Sequence, residues 1–244
     1  MTRIISAVTF DFWNTLYSAD NGAMDLVRPR RLEVLKGLLE AAGIRPSDND
    51  LARAYRSGFD AYMAAWNRGA HFGAREQVLH ILDVFESTVP EETVGRTAAE
   101  IEDLSLLAPL QLLEGVRETI PELAAAGYRL GIISDTSLTP GRLLKHFLAA
   151  DGLLQHFSAL TFSDVTGYTK PDPRMFESTL TELGAEAGRA AHVGDTPRTD
   201  IAGAKAMGML SIRCAGAVDQ GDPPAADFVI HDHREIPEFL CRPA

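Results

Sequence analysis

Cysteine is almost missing from this sequence: Cys214 and Cys241 are the two in 244 residues. Their spacing is not that of a metal-ligand pair and implies no disulfide framework, so a reducing cytoplasmic setting is expected. Long apolar runs are missing too. No stretch approaches the roughly 20 residues that cross a bilayer. The short apolar run behind Arg3 meets Asp11 too soon to form a signal peptide. Basic charge is in deficit, with 23 Lys and Arg against 34 Asp and Glu, a net charge of -11. Nucleic acids and anionic membranes attract basic surface, so neither is an expected partner, and the charge reads as solubility. Internal repeats and low-complexity segments are absent. What remains is an ordinary globular composition, 45% hydrophobic and 23% charged, in a chain long enough to bury a core without covalent staples.

The apolar pattern changes character twice. Residues 4–11, Ile-Ile-Ser-Ala-Val-Thr-Phe-Asp, are β-rich and predict a buried strand ending at Asp11. From about 24 to 105 the period is helical: Leu32, Leu35, Leu38 and Leu39, then Leu51, Ala54, Tyr55, Phe59 and Met63, then Val78, Leu79, Ile81, Leu82 and Phe85. Beyond about 113, strands alternate with helices. Strands are expected at Arg129–Ser134, Ala159–Ser163, Ala190–Gly194, Leu210–Cys214 and Asp227–Ile230. Helices are expected behind Thr139-Pro140 and Asp172-Pro173, each a cap residue followed by proline, and in the Ala-rich run that reaches Gly208. Such alternation predicts a parallel sheet covered on both faces, with ligands at the carboxyl ends of its strands. The lone strand at 4–11 needs that sheet. The expected fold is therefore an α/β, Rossmann-like parallel-sheet core formed by 1–17 and 114–244, with an all-helical domain inserted at 18–113.

The strand ends carry polar residues of one kind. Asp11-Phe12-Trp13-Asn14-Thr15 closes the first strand and Ser134-Asp135-Thr136 the second. Thr169-Lys170-Pro171 lies beyond the third, and Gly194-Asp195-Thr196-Pro197-Arg198-Thr199-Asp200 closes the fourth. In a parallel sheet these ends converge on one crevice. Three carboxylates gathered there repel one another unless a cation joins them, and Mg2+, hard and oxygen-loving, suits the set. Ser134 and Lys170 are placed to hold phosphoryl oxygens. A carboxylate nucleophile, a metal and a cation form a phosphoryl-transfer arrangement. Each element alone is weak, since an Asp after a strand is more often a turn or cap. Their joint order carries the reading.

With these motifs the chain resembles the haloacid dehalogenase superfamily, whose members are mostly phosphatases. Asp11 to Thr15 is similar to its first motif, Ser134 to its second, Lys170 to its third, and Gly194-Asp195 with Asp200 to its fourth. The insertion is similar to its helical cap. The resemblance implies Mg2+-dependent hydrolysis of a small phosphorylated metabolite. Asp11 would attack phosphorus, forming an aspartyl-phosphate that water then cleaves. Mg2+ would be held by Asp11, the backbone carbonyl of Trp13 and Asp195, with Asp200 as a further ligand or as a partner of those ligands. Ser134, Asp135 and Lys170 would contact the substrate, Lys170 also restraining the carboxylates, and the cap would close over the site.

The match breaks at Trp13, where phosphatases of this family usually carry a second Asp that works as acid and base. Three explanations stand side by side: a cap residue replaces the acid, the leaving group needs no proton, or the aspartyl-phosphate persists. Dehalogenases of the family also lack this Asp, so metal-free carbon–halogen hydrolysis is the first alternative. Asp195 and Asp200 argue against it, because without a cation they would bury repelling charge beside the nucleophile. A metal- and phosphate-binding protein of impaired turnover is the second alternative. In the insertion, Arg68, His71 or Arg75 could reach the site, His71 with a pKa suited to the missing acid, although a solvated interhelical turn is the first expectation there. Arg28, Arg30 and Arg31 could recognise a substrate carboxylate or second phosphate, or form an exposed basic helix start. Asp135 could adjust the charge of the site or cap a helix. His231 and His233 are expected on the surface.

Overall fold

The computed structural model describes residues 4–18 and 22–240; Arg3 and Cys241 lie outside them. Strand β1 (Ala7–Phe10) is followed by a two-residue strand β2 (Tyr17–Ser18). Helices α1 (Ala23–Ala41), α2 (Asp48–Asn67), α3 (Ala74–Val84) and α4 (Glu91–Asp103) come next, then β3 (Gln111–Leu112). The remaining chain alternates: α5 (Val116–Ala125), β4 (Arg129–Ser134), α6 (Gly141–Ala150), β5 (Phe157–Phe162), α7 (Ser163–Thr166), α8 (Pro173–Leu183), β6 (Ala190–Gly194), α9 (Ala202–Ala206), β7 (Leu210–Cys214), β8 (Phe228–Ile230) and α10 (Ile236–Leu240).

Six strands form one sheet in the order β5-β4-β1-β6-β7-β8, and every neighbouring pair is parallel. β1 is buried along its whole length because both faces are covered. Val8 and Phe10 enter one core layer with Ile120, Ile132 and Val193. Ala7, one residue out of step, enters the opposite layer with Ile133 and Phe176. The chain runs outward from β1 through β4 and β5, then returns to β6 on the other side of β1. The β1/β6 boundary is thus a switch point, and the loops after these strands open into one crevice.

The helices between β2 and β3 gather a separate apolar cluster that includes Leu35, Leu39, Leu51, Val78, Ile81 and Ile101. β2 and β3 pair antiparallel, Tyr17 with Leu112 and Ser18 with Gln111, where the chain leaves and re-enters the sheet layer. Helix α2 starts at Ser47, whose side chain accepts the Asp50 N–H at 3.1 Å, with Asp48 and Asp50 in its first turn.

Several expectations shift. The first strand is shorter than 4–11, and Asp11 lies just past its end. Helix α1 begins at Ala23 and continues through Pro29, so Arg28, Arg30 and Arg31 lie inside it. Thr139 does not cap α6. Pro140 occupies the cap position, Asp164 accepts the Gly141 N–H at 3.0 Å, and Thr139 donates to Ser105 Oγ at 3.0 Å. The Asp172-Pro173 start of α8 is as expected, Asp172 accepting the Arg174 N–H at 2.9 Å. Phe59, expected on a core stripe, is 63% exposed. His233 is buried rather than on the surface, its Nδ1 3.1 Å from the Glu114 carbonyl. Among the described residues no helix is long and apolar enough to cross a membrane.

Candidate active site

The crevice at the β1/β6 boundary is assembled from the expected strand ends. Asp11 follows β1 and donates its backbone N–H to the Val193 carbonyl at 2.9 Å, which fixes it beside β6. The chain then turns tightly. Leu16 and Tyr17 both donate to the Phe12 carbonyl, and Asn14 adopts a left-handed φ of 55°, a conformation Asn tolerates better than most residues. Asp195 follows β6 directly. A wide turn at Pro197–Ile201 brings Asp200 back beneath it, where Asp200 Oδ2 accepts the Thr196 N–H at 3.0 Å. Gly194 is needed at this point, because a Cβ would lie 2.3 Å from the Asp200 carboxyl carbon.

Carboxylate oxygens of Asp11, Asp195 and Asp200 all lie within 4.8 Å of one another, and all three residues are buried. Lys170 Nζ is 2.6 Å from Asp11 Oδ1 and 2.6 Å from Asp200 Oδ1. These are short charge-assisted hydrogen bonds in a nearly dry setting. Burial alone would lower the lysine pKa, but Asp11, Asp200 and Asp135 outweigh it and hold the ammonium form. Burial alone would raise Asp200; Lys170 and His192 overcome that and keep it well below the usual carboxylate range. Asp11 is raised, chiefly by burial, against the pull of Lys170. Asp195 is pushed up to about 8 by burial and by its neighbours Asp200 and Asp11. One ammonium does not balance three carboxylates, and the excess is met by the upward shifts of Asp11 and Asp195. The crowding of hard oxygen donors suits a small divalent cation.

A cavity of about 120 Å3 opens over this cluster, and Trp13, Asn14, Tyr62, Trp66 and Asp135 share its walls with the triad and Lys170. Trp13 packs edge-on against Phe12, with ring centres 5.0 Å apart. Asp135 caps no helix. Its Oδ1 accepts the Lys170 backbone N–H at 2.9 Å, and its Oδ2 accepts the indole N–H of Trp66 on α2 at 2.8 Å. Burial pushes its carboxyl up to about 6. Arg198 lies over the Trp66 ring at 3.4 Å and donates to Asn67 Oδ1 at 3.1 Å. Together these contacts clasp the helical insertion to the sheet.

Other candidates lie elsewhere. Ser134 ends β4 fully buried, its hydroxyl donating to the Asp135 carbonyl at 3.3 Å, and it is not part of the cavity wall. Arg68 is exposed, Arg75 pairs with Glu91 at 2.9 Å, and His71 packs 3.1 Å from Ser163 Oγ. None of the three lines the cavity. Arg28 and Arg30 pair with Asp25 and Glu33 on the surface. Arg31 is buried. Sequence reasoning missed His192, whose Nε2 is 3.2 Å from Asp200 Oδ1 and whose Nδ1 is 2.9 Å from Thr9 Oγ1. The signal was present: Thr9 and His192 are polar residues inside apolar strands, paired in register.

The model of the haloacid dehalogenase-like hydrolases matches residues 5–208. The bovine haloacid dehalogenase-like hydrolase domain-containing protein 3 is 34% identical over 131 residues, 54% of this chain and 50% of that protein. In that comparison the matched region thus spans half the length of the relative. The mouse protein of the same name is 30% identical over 205 residues, 79% of this chain and 78% of its own. A glyceraldehyde 3-phosphate phosphatase of Methanocaldococcus jannaschii is 25% identical over 97% of both chains. Two solved structures share the fold. A phosphatase from Thermococcus onnurineus has a TM-score of 0.62 at 24% identity, covering 97% of this chain and 98% of its own. A 2-haloacid dehalogenase from Pseudomonas syringae has a TM-score of 0.68 at 24% identity, with the same coverage.

Proposed function

The chain belongs to the haloacid dehalogenase-like hydrolases, and from that membership we propose that it hydrolyses phosphate monoesters of small molecules through the carboxylate of Asp11. The observation that carries the reading is the buried cluster of Asp11, Asp195 and Asp200 around Lys170. The phosphatase named above supports the reaction type. A metal-free halide displacement has no use for two further buried carboxylates beside the nucleophile.

Asp11, the Trp13 backbone carbonyl, Asp195 and Asp200 are the groups that would hold Mg2+. When bound, the ion would screen their repulsion and the charge of the phosphoryl group. Lys170 orients Asp11 through Oδ1 and offers the phosphoryl oxygens a positive charge. Asp11 attacks phosphorus, the ester P–O bond breaks, and the leaving alkoxide takes up a proton. Water then cleaves the aspartyl-phosphate and restores the carboxylate. With Trp13 in the acid position, the proton is carried by Asp135, which lines the same cavity and whose carboxyl is pushed up to about 6 by burial. Ser134 contacts the phosphoryl group once its hydroxyl leaves the Asp135 carbonyl. The 18–113 insertion acts as the cap that closes over the substrate.

The test is phosphate release from 4-nitrophenyl phosphate and a panel of metabolite esters, with and without chelator. Mg2+-dependent release that Asp11→Asn abolishes is the expected result. Chelator-indifferent release of halide from 2-haloacids would instead establish the dehalogenase chemistry. Metal and phosphate binding with no turnover of any ester would leave a binding protein.

A further inference from the structure

A second cavity, of about 540 Å3, lies between the helical insertion and the sheet. Trp13, Asn14 and Tyr62 line both this cavity and the smaller one over Asp11. We propose that it is the leaving-group pocket, and that it takes a ring-bearing body ending in a carboxylate, which Arg31 and Gln77 read. The proposal rests on the phosphate-ester reading and names its substrate class.

The walls dictate the body. Tyr55, Phe59 and Tyr62 recur at helix spacing on α2 and face the cavity together. Phe59, one of the lining residues, is 63% exposed in all, and a flat apolar ligand in the cavity would cover part of that apolar area. Leu138 and Phe72 complete an apolar lining. The volume falls within the range of pockets that enclose a body of many heavy atoms, and a three-carbon polyol phosphate would leave most of it unfilled.

The polar groups dictate what the ring must carry. Arg31 is 5% exposed. Its hydrogen bonds run from Nε to the Ile101 carbonyl at 3.2 Å and from Nη2 to Ser105 Oγ and the Leu138 carbonyl at 2.7 and 3.3 Å. All three acceptors are neutral, and among the described residues no carboxylate lies within ion-pairing distance of this guanidinium. A buried charge without a counter-charge is costly, and Arg31 lines the cavity. Gln77 is 3% exposed on the same lining, and among the described residues its Nε2 has no hydrogen-bond partner. Room for that amide is made at a cost. Gly58 interrupts α2, and a Cβ there would lie 2.1 Å from Gln77 Oε1. Glycine inside a helix sacrifices stability, and here it admits the Gln77 amide between α2 and α3, at the edge of the cavity that Gln77 lines. A carboxylate accepts from both groups; a neutral ring end does not answer the charge.

The experiment compares kcat/KM for 4-carboxyphenyl phosphate and its neutral carboxamide, which have similar shape, and for glycerol phosphate. The carboxylate is expected to be preferred over the carboxamide by about tenfold or more, as a charge-assisted buried contact requires, with the difference in KM. Arg31→Gln brings that ratio to about one. Should that variant fail to fold, Gln77→Leu lowers the same ratio, and Gly58→Ala lowers the ratio of aryl to glyceryl ester by crowding Gln77. Equal rates for carboxylate and carboxamide, or preference for glycerol phosphate, overturn the proposal. Calorimetric titration of 4-hydroxybenzoate, which needs no phosphate, separates the two readings. Arg31-dependent binding with no ester turnover supports the pocket and sinks the phosphatase reading. Ester turnover without such binding sinks the pocket.

Discussion

Trp13 is the residue at which this site departs from a self-sufficient phosphatase, because an indole can neither give nor take a proton in this range. In the proposed mechanism Asp135 is its counterpart, tied to Lys170 on one side and Trp66 on the other. If Asp135 carries the proton, its loss matters in proportion to the basicity of the leaving group. Asp135→Asn is expected to slow simple alkyl phosphates by about 100-fold, the low end of general acid catalysis, while 4-nitrophenyl phosphate, whose leaving group needs no proton, changes little. Adding Trp13→Asp in that background recovers part of the alkyl rate. Equal slowing of both esters would assign Asp135 to holding Lys170 and Trp66 in place. The motif residues Asp11, Lys170, Asp195 and Asp200 were legible in the sequence because each lies in a segment between the end of a strand and the next long helix or strand. His192 and Thr9 were not singled out, because Thr9 meets His192 only across neighbouring strands and His192 meets Asp200 only once the turn after β6 folds back.

Among the elements, α2 carries the most. It presents Tyr62 and Trp66 to the reacting cavity, Tyr55 and Phe59 to the larger one, and Trp66 to the clasp with Asp135 and Arg198. Its start depends on Ser47. Ser47→Ala is expected to lower unfolding free energy by about 1 kcal/mol, seen as a lower urea midpoint at unchanged slope. A midpoint equal to wild type would mean that packing alone fixes the helix. The paired strands β2 and β3 had no sequence signal, being two residues each, too short for alternation to register. Phe59 was misassigned for a related reason: helical spacing shows that a face is apolar but not whether it meets a core or a cavity.

At the scale of the whole molecule, one buried histidine outside the acidic crevice links stability to pH. Burial lowers His233 from 6.5 to about 4. Above about pH 6.5 neither state binds the proton, so this residue contributes no pH dependence. As pH falls through that value the unfolded chain protonates and the folded chain does not. Stability is then lost progressively, by roughly 3 kcal/mol at about pH 4. The buried carboxyls Asp135 and Asp195 are shifted upward and add stability over the same range, so thermal melts between pH 7 and 4 should show wild type losing ground relative to His233→Asn as the pH falls. The same pH response in both proteins would mean that His233 does not titrate in this way. The cation site gives a second global readout. Mg2+ at 100 times its Kd is expected to add about 2.7 kcal/mol to stability, measured as a rise in Tm that Asp195→Asn removes. A rise that persists in the variant would mean the ion binds somewhere else.

The sequence by itself determined the class of fold and pointed to the acidic residues and the lysine that the structure gathers into one cluster. Local periodicity reports which way side chains face, and the order of strands and helices constrains a parallel sheet to present its strand ends together. Only the tertiary structure decided which side chains share a cavity: Trp66 on Asp135, Gln77 against Gly58, Arg31 buried among neutral acceptors instead of exposed at a helix start. These juxtapositions join residues from separate helices and loops. Their relative placement follows from how the insertion packs on the sheet, and no pattern within a single segment encodes it.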